Sequence, residues 1–472
     1  MMTIPMSERP FTLVMGLGST GLSCARFLTR HGIPFVVTDT RSNPPGLSYF
    51  RKELPDVAVF LGEPQEAVPS SVLARVEQLV ISPGVPLTEP LVVAAMARGI
   101  PVLGDIELFA RYSAAPIIAI SGSNGKSTVT TLVGEMARRA GSYVAVGGNL
   151  GTPALDLLGV MVEGREGDSR FPELFVLELS SFQLETTHSL KACAAVVLNI
   201  SSDHLDRHGT MEHYVAVKKR IYQGNGKAVI NADDPLVESM VDNRRQISRF
   251  ILGSPLGADD YGVGAGPLGE WIVRGETPIM ACADLRIAGR HNLANALAAL
   301  ALAEAAGLPM QPCVDALRDF TGLAHRCQFV AEMGGVTWYN DSKGTNVGAT
   351  MAACEGLPGP LILIAGGQGK GQDFSPLGTV LKGKARAVIL IGEDAAKIRL
   401  ALEGIALLID APDLSAAVDE AQRIAQVGDR VLLSPACTSF DMFRNYVDRG
   451  ESFVREVYRL RDICLASDNG CL

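Results

Sequence analysis

The residues best suited to chemistry stand in one run, Gly122-Ser123-Asn124-Gly125-Lys126-Ser127-Thr128, between a strand pattern at Ile117–Ile120 and a helical pattern at Val129–Ala140. Such a turn cradles phosphate oxygens on backbone amides. It brings Lys126 to the β/γ charge of a nucleotide, and Ser127 or Thr128 can offer a hydroxyl to Mg²⁺. Ile120 stands where the common phosphate-loop pattern has its first glycine, so this loop is a variant. Glu178 closes the apolar run Phe175–Leu179, a position from which a carboxylate can hold the magnesium of bound ATP. A solvated strand end is the plain alternative. The next run, Val196–Ile200, leads into Asn199–Arg207 and delivers Asp203 and His204 to the same rim. His204, His208 and His213 raise zinc as a rival, weakened because no cysteine or HExxH arrangement accompanies them. Lys218, Lys219 and Arg220 follow on a helix; by themselves they read as a basic solvated face.

A second phosphate signal is Gly16-Leu17-Gly18-Ser19-Thr20-Gly21, after the strand pattern Phe11–Met15 and ahead of Asp39 at the end of the next. It fits any diphosphate, including a nucleotide sugar, and does not select NAD. In the last third, polar turns follow three strand patterns. Asn340–Asn346 comes after Val336–Asn340, Gly366–Lys370 after Leu361–Ala365, and Ser434–Phe440 after Val431–Leu433. Three strand ends in one unit should converge on a ligand.

Positioning these turns requires alternating strands and helices, and the further runs Phe35–Thr38, Leu79–Ile81 and Val388–Ile391 keep that rhythm. The fold class expected is α/β with largely parallel sheets. At about 150 residues per domain, 472 residues suggest three. Seams are expected between Gly104 and Pro116 and near Phe320–Ala324. Gly253–Gly275, glycine-rich and aperiodic, reads as loops or an irregular small sheet. A composition of 47% hydrophobic and 20% charged residues is that of a globular chain. The net charge of -9 argues against nucleic acid as partner. Nine cysteines without a CxxC pair read as reduced thiols, which points to the cytoplasm. No apolar run approaches the ~20 residues of a membrane span, and Met1–Pro10 shows no secretory leader.

Together these strings resemble the Mur ligase family: GSNGKST at Gly122–Thr128, GGNLG at Gly147–Gly151, ELSSFQLE at Glu178–Glu185, DHLDRHG at Asp203–Gly209 and GRHNLANALAA at Gly289–Ala299. HR at His325–Arg326, NDSKGTN at Asn340–Asn346 and LLSPACTSFD at Leu432–Asp441 complete the likeness, which runs from Gly16 to Phe453. Several are shared with folylpolyglutamate synthetase-like enzymes; ELSSFQLE and SPACTSFDMFRNY match the D-glutamate-adding branch.

The resemblance implies an N-terminal Rossmann-like domain (1–104) for a UDP-sugar, a central P-loop ATPase-type domain (105–322), and a C-terminal Rossmann-like domain (323–472) for the amino acid. It implies ATP-dependent addition of D-glutamate to UDP-N-acetylmuramoyl-L-alanine through an acyl phosphate, with Mg²⁺, by a monomer. By that likeness Gly18, Ser19, Thr20, Asp39, Thr40, Arg41, Ser82, Gly84 and Asn149 bind the UDP-sugar. Gly122 through Thr128 bind ATP with Asn292, Asn295, Arg326 and Asp341. Lys126, Glu178, His204 and Lys218 are catalytic, and Ser127, Glu178, His204 and a carbamylated Lys218 hold metal. His325, Thr345, Lys370, Ser439, Phe440 and Tyr446 hold D-glutamate. Rival readings are a relative that uses another amino acid or acceptor, a nucleotide-gated binding module without chemistry, and a dehydrogenase.

Overall fold

Apolar runs buried on both faces belong in parallel sheets whose crossover helices cover each side. A computed structural model of the chain describes residues 10–62, 68–163, 169–241, 245–266, 269–287 and 289–468; the leader reading rests on residues 1–9, outside these. Its first sheet runs Val59–Leu61, Phe35–Asp39, Phe11–Met15, Val76–Ile81, Val102–Leu103, all parallel. The winding reverses between Phe11–Met15 and Val76–Ile81, which opens a crevice at their carboxyl ends. There the Ser82 hydroxyl donates to the Gly16 carbonyl at 3.2 Å. Gly16 has φ +99°, and a Cβ on it would lie 2.7 Å from Ser82 Oγ, so only glycine fits.

The central sheet has nine strands. Val144–Gly148, Leu174–Glu178, Ile117–Ser121, Ala194–Val197, Lys227–Asn231, Ile247–Phe250 and Tyr261–Gly266 run parallel; Gly269–Arg274 and Thr277–Ala281 continue it antiparallel. The segment Gly253–Gly275, expected as loops or an irregular small sheet, is loop at residues 253–260 and contributes Tyr261–Gly266 and Gly269–Arg274 as regular strands of the main sheet. Its strand periodicity is hidden because Gly266 must lack a side chain: a Cβ there would lie 1.8 Å from the Trp271 ring. The strand expected at Val196–Ile200 ends at Val197, since Asn199 leaves the ladder to bind the Gly122–Thr128 turn. Its side chain accepts from the Asn124 amide at 2.8 Å and its carbonyl from the Ser123 amide at 2.9 Å.

In the third sheet Gln328–Met333 lies antiparallel to Val336–Asn340, followed in parallel by Arg430–Leu433, Leu361–Gly366, Ala385–Ile391 and Leu407–Asp410. Among the described residues no helix is long and apolar enough to cross a membrane.

One core cluster joins the first two sheets, from Val14 and Leu28 through Phe109 to Ile117 and Phe175. Phe109, on the helix Asp105–Tyr112, is fully buried edge-on against Phe175 with ring centroids 5.0 Å apart. Phe109→Ala should cost about 3–5 kcal/mol, the usual range for an emptied aromatic site. Urea unfolding should show the midpoint lowered for both sheets together; an unchanged midpoint would refute the shared core.

Candidate active site

Three cavities open along the strand ends. The first lies in the crevice of the first sheet and is walled by all nine residues expected for the UDP-sugar, Gly18, Ser19, Thr20, Asp39, Thr40, Arg41, Ser82, Gly84 and Asn149. Asp39 is buried. Its carboxylate accepts from the Leu17 amide at 2.7 Å and from the Arg41 side chain at 2.7 and 2.8 Å. Burial acts to raise its pKa, but the bonds from Arg41 and Leu17 outweigh burial and hold it below the usual value. Asp39 thus fixes the half-exposed Arg41 guanidinium as the cationic wall.

The second cavity brings together Ser123, Asn124, Gly125, Lys126, Ser127, Asn149, Glu178, His204, Lys218, Arg326 and Thr345. Lys126 begins the helix Lys126–Arg139, and its ammonium donates to the carbonyls of Gly122 and Ser123 at 2.9 and 2.8 Å. Glu178, the last residue of its strand, is 3% exposed. One of its oxygens accepts from Asn149 Nδ2 at 2.7 Å, while the other is buried with no hydrogen-bond partner among the described residues. A bare buried carboxylate oxygen calls for a cation.

Lys218 is 1% exposed, and its Nζ donates to Ser121 Oγ at 3.2 Å and to the Gly122 carbonyl at 2.9 Å. Burial, then the charge of Lys126, push its pKa well below that of a free lysine. Lys219 is exposed and walls a different hollow. His204 caps the short helix Leu205–His208 with φ 54°, a strained backbone for a non-glycine residue. Its Nε2 lies 3.6 Å from Asp203, and burial lowers its pKa. His208 turns away from the cavity: its Nε2 meets Ser181 Oγ at 3.0 Å, and burial drives its pKa down to about 4.

The third cavity is lined by Asn124, Gly125, Thr128, Asn292, Asn295, Arg326 and Asp341, with Phe250 and His291. Residues of the last sheet's turns reach the Gly122–Thr128 turn. Arg326 Nη2 donates to Ser127 Oγ at 2.8 Å, and Asn346 Nδ2 donates to Asn124 Oδ1 at 3.1 Å. Asp341 accepts from the Cys327 amide at 3.1 Å and the Ser434 hydroxyl at 2.7 Å, and burial pushes its pKa up to about 6. Gly122 walls none of the three cavities; its carbonyl serves Lys126 and Lys218.

The residues expected for D-glutamate gather less tightly. Thr345 reaches the second cavity, and the charge of Lys370 acts on His204 and Lys343. His325 and Tyr446 pair with ring centroids 6.2 Å apart, and Ser439 is buried. Phe440 is 69% exposed and walls none of the three cavities.

Sequence reasoning gave no role to Lys343, Tyr214 or Arg449. Lys343 lies over the Tyr446 ring at 3.8 Å, with its pKa lowered to about 8, first by burial and then by Arg326. Tyr214 meets Ser123 Oγ at 3.0 Å. Buried Arg449 donates to Ser342 O at 2.9 Å, Cys437 O at 3.0 Å and Thr438 O at 3.3 Å, tying two of the polar turns together. Only Lys343 left a signal, as a charge inside NDSKGTN.

Comparison with known families places this arrangement. The Mur ligase middle domain matches residues 120–303, the Mur ligase MurD-like N-terminal domain 11–104, and the Mur ligase glutamate ligase domain 325–437. The chain belongs to the Mur ligase family. This Mur ligase is 53% identical over 451 residues to the UDP-N-acetylmuramoylalanine–D-glutamate ligase of Nitrosococcus oceani, covering 94% of the chain and 96% of the relative. It is 49% identical to the protein of that name from Hahella chejuensis, over 95% of the chain and 98% of the relative. Among solved structures, UDP-N-acetylmuramate-alanine ligase MurC of Thermotoga maritima is similar with a TM-score of 0.58 at 16% identity, over 96% of this chain and 100% of that one. MurF of Acinetobacter baumannii gives 0.55 at 18% identity, over 82% and 87%. Both share the three-domain α/β fold.

Proposed function

We propose that this Mur ligase joins D-glutamate to UDP-N-acetylmuramoyl-L-alanine, forming ADP and phosphate, as a cytoplasmic step of peptidoglycan precursor synthesis. The observation that carries the reading is the continuity of the three cavities. Asn149 walls the first and second, and Gly125 and Arg326 wall the second and third. A carboxylate tethered through its diphosphate at Arg41 and a γ-phosphate delivered from the nucleotide side would meet between Lys126, Glu178, His204 and Lys218. Residues 1–104 would serve the UDP-sugar, 105–322 ATP and 323–472 the amino acid.

A carboxylate oxygen is a poor leaving group in water, so the acid must first be activated. The substrate carboxylate oxygen attacks the γ-phosphorus, ADP departs, and an acyl phosphate forms. Lys126 and Arg326 face the charge that shifts in this step, and because they are already held in place they need not reorganise. The amine of D-glutamate then attacks the acyl carbon, phosphate leaves, and the amine loses its proton. Thr345, Lys370 and Ser439, with His325, Phe440 and Tyr446 around them, would hold the amino acid and act as an entropy trap.

The unpartnered Glu178 oxygen, the Ser127 hydroxyl and His204 fit a hard divalent ion. Mg²⁺ bound there would neutralise phosphate charge. Burial pushes the pKa of Lys218 well below that of a free lysine and so favours the neutral amine, whose lone pair can add CO₂ with release of a proton; the carbamate would put an anionic oxygen donor where an ammonium would repel the ion.

The reading is tested by ADP release with UDP-N-acetylmuramoyl-L-alanine across a panel of amino acids. D-glutamate should stimulate it strongly and L-amino acids should not; no stimulation by D-glutamate overturns the assignment. Lys370→Ala should remove a charge-assisted contact worth about 2 kcal/mol, which is roughly a 30-fold rise in KM for D-glutamate. Steady-state kinetics should leave KM for ATP unchanged, and an equal rise in both would refute the role.

A further inference from the structure

Beneath the catalytic cavity lies a cluster that the ligase reaction does not use. Glu185 ends the helix Ser181–Glu185, His208 ends Leu205–His208, and His213 sits in the first turn of Met211–Lys219. One donor atom from each falls within 4.8 Å of the other two. Glu185 and His208 are buried and His213 is exposed, so the cluster has a closed floor and an open mouth. His204, which sequence spacing groups with the other two histidines, is not a member.

Two observations mark the cluster as a site. His208 Nδ1 is buried and has no hydrogen-bond partner among the described residues, while its other nitrogen meets Ser181 Oγ at 3.0 Å. A metal-binding imidazole needs this arrangement, with one nitrogen free and the other oriented by a hydrogen bond. Glu185 in turn accepts from Arg207 Nη2 at 2.6 Å through one oxygen, which fixes the carboxylate and leaves the second oxygen to coordinate. We propose that Glu185, His208 and His213 form a second metal site, taking a borderline divalent ion of the Zn²⁺ or Co²⁺ class with water as fourth ligand.

The donor set decides the class. Two imidazoles and one carboxylate suit Zn²⁺ and Co²⁺, whereas Mg²⁺ prefers oxygen ligands in an octahedron. Bonds of about 2.0–2.2 Å would bring tetrahedral donors to roughly 3.4 Å apart. Rotation of the exposed His213 side chain can shorten its own distances to Glu185 and His208, and small rotamer adjustments of the buried pair would complete the contraction. An ion bound there pins together three helices, of which one is capped by His204 and another carries Lys218, without touching the substrates.

The test is a Co²⁺ titration of the intact chain in millimolar Mg²⁺, followed by visible absorption and by displacement with Zn²⁺. Wild type should take up one Co²⁺ with the intense spectrum of a four-coordinate site. His213→Ala should weaken binding at least tenfold while its Mg²⁺-dependent ADP formation stays that of wild type, which also shows that the variant is folded. His208→Gln should abolish the signal. Thermal unfolding gives a second readout: Zn²⁺ should raise the midpoint of wild type and not of His213→Ala. No Co²⁺ uptake in Mg²⁺, or a spectrum and affinity unchanged in His213→Ala, would overturn the proposal. Neither result bears on the ligase reaction.

Discussion

Lys126→Ala is expected to lower the rate of ADP formation by about 10³-fold, the scale seen when a preorganised group facing transition-state charge is removed. The lysine stands at the start of a helix, already held by the carbonyls of Gly122 and Ser123 at 2.9 and 2.8 Å. Burial lowers its pKa while Glu178 and Asp203 work to raise it. Its charge is therefore aimed and costs no reorganisation when the phosphoryl group moves. Acceptor binding, proposed at Arg41 in a separate cavity, should be unaffected. Calorimetry of acceptor binding beside steady-state kinetics separates the two, and a variant that turns over like wild type would remove Lys126 from the mechanism.

If Lys218 carries the proposed carbamate, Lys218→Ala should cost about 10²–10³-fold, because the cavity would lose the anionic oxygen offered to a divalent ion. Added acetate should restore part of the lost activity by placing a carboxylate in the space vacated, and it should not accelerate wild type. Lys218→Arg keeps a positive charge and fills that space, so acetate should leave it inactive. Equal failure of acetate with both variants would show that the buried amine acts unmodified. The sign of the pH dependence follows from burial. A lysine whose folded pKa lies below its unfolded value carries fewer protons when folded, so its contribution to stability increases as pH rises towards the unfolded value.

Much of this was legible in the residues. Gly122–Thr128 between strand and helix, and Gly16–Gly21 ahead of Asp39, are patterns carried by consecutive residues, and residues of each turn wall a cavity. All nine residues read for the UDP-sugar wall one cavity, and Lys126, Glu178, His204 and Lys218 share another. Contacts set by tertiary structure were hidden. Arg449 lies within the helix Tyr446–Asp468, where a charge ordinarily faces solvent, yet it is buried and binds turns more than a hundred residues and about ten residues away. Glu185 ends the string ELSSFQLE, and nothing in its spacing brings it to His208 and His213. The burial of Lys218 beside exposed Lys219 likewise depends on helix phase, since adjacent helical residues point about 100° apart. The strand Tyr261–Gly266 is hidden in the sequence because Gly262, Gly264 and Gly266, each closely approached by neighbouring atoms, erase the alternation that marks a strand.

In the proposed reaction a carboxylate is phosphorylated in the middle cavity before the amine arrives. The most direct measurement uses UDP-N-acetylmuramoyl-L-alanine carrying ¹⁸O in both carboxylate oxygens, with mass analysis of the products after turnover with D-glutamate. Transfer of one ¹⁸O to the released phosphate, with the other kept in the amide, is predicted. Phosphate free of label, or label found in a nucleotide product, would contradict it.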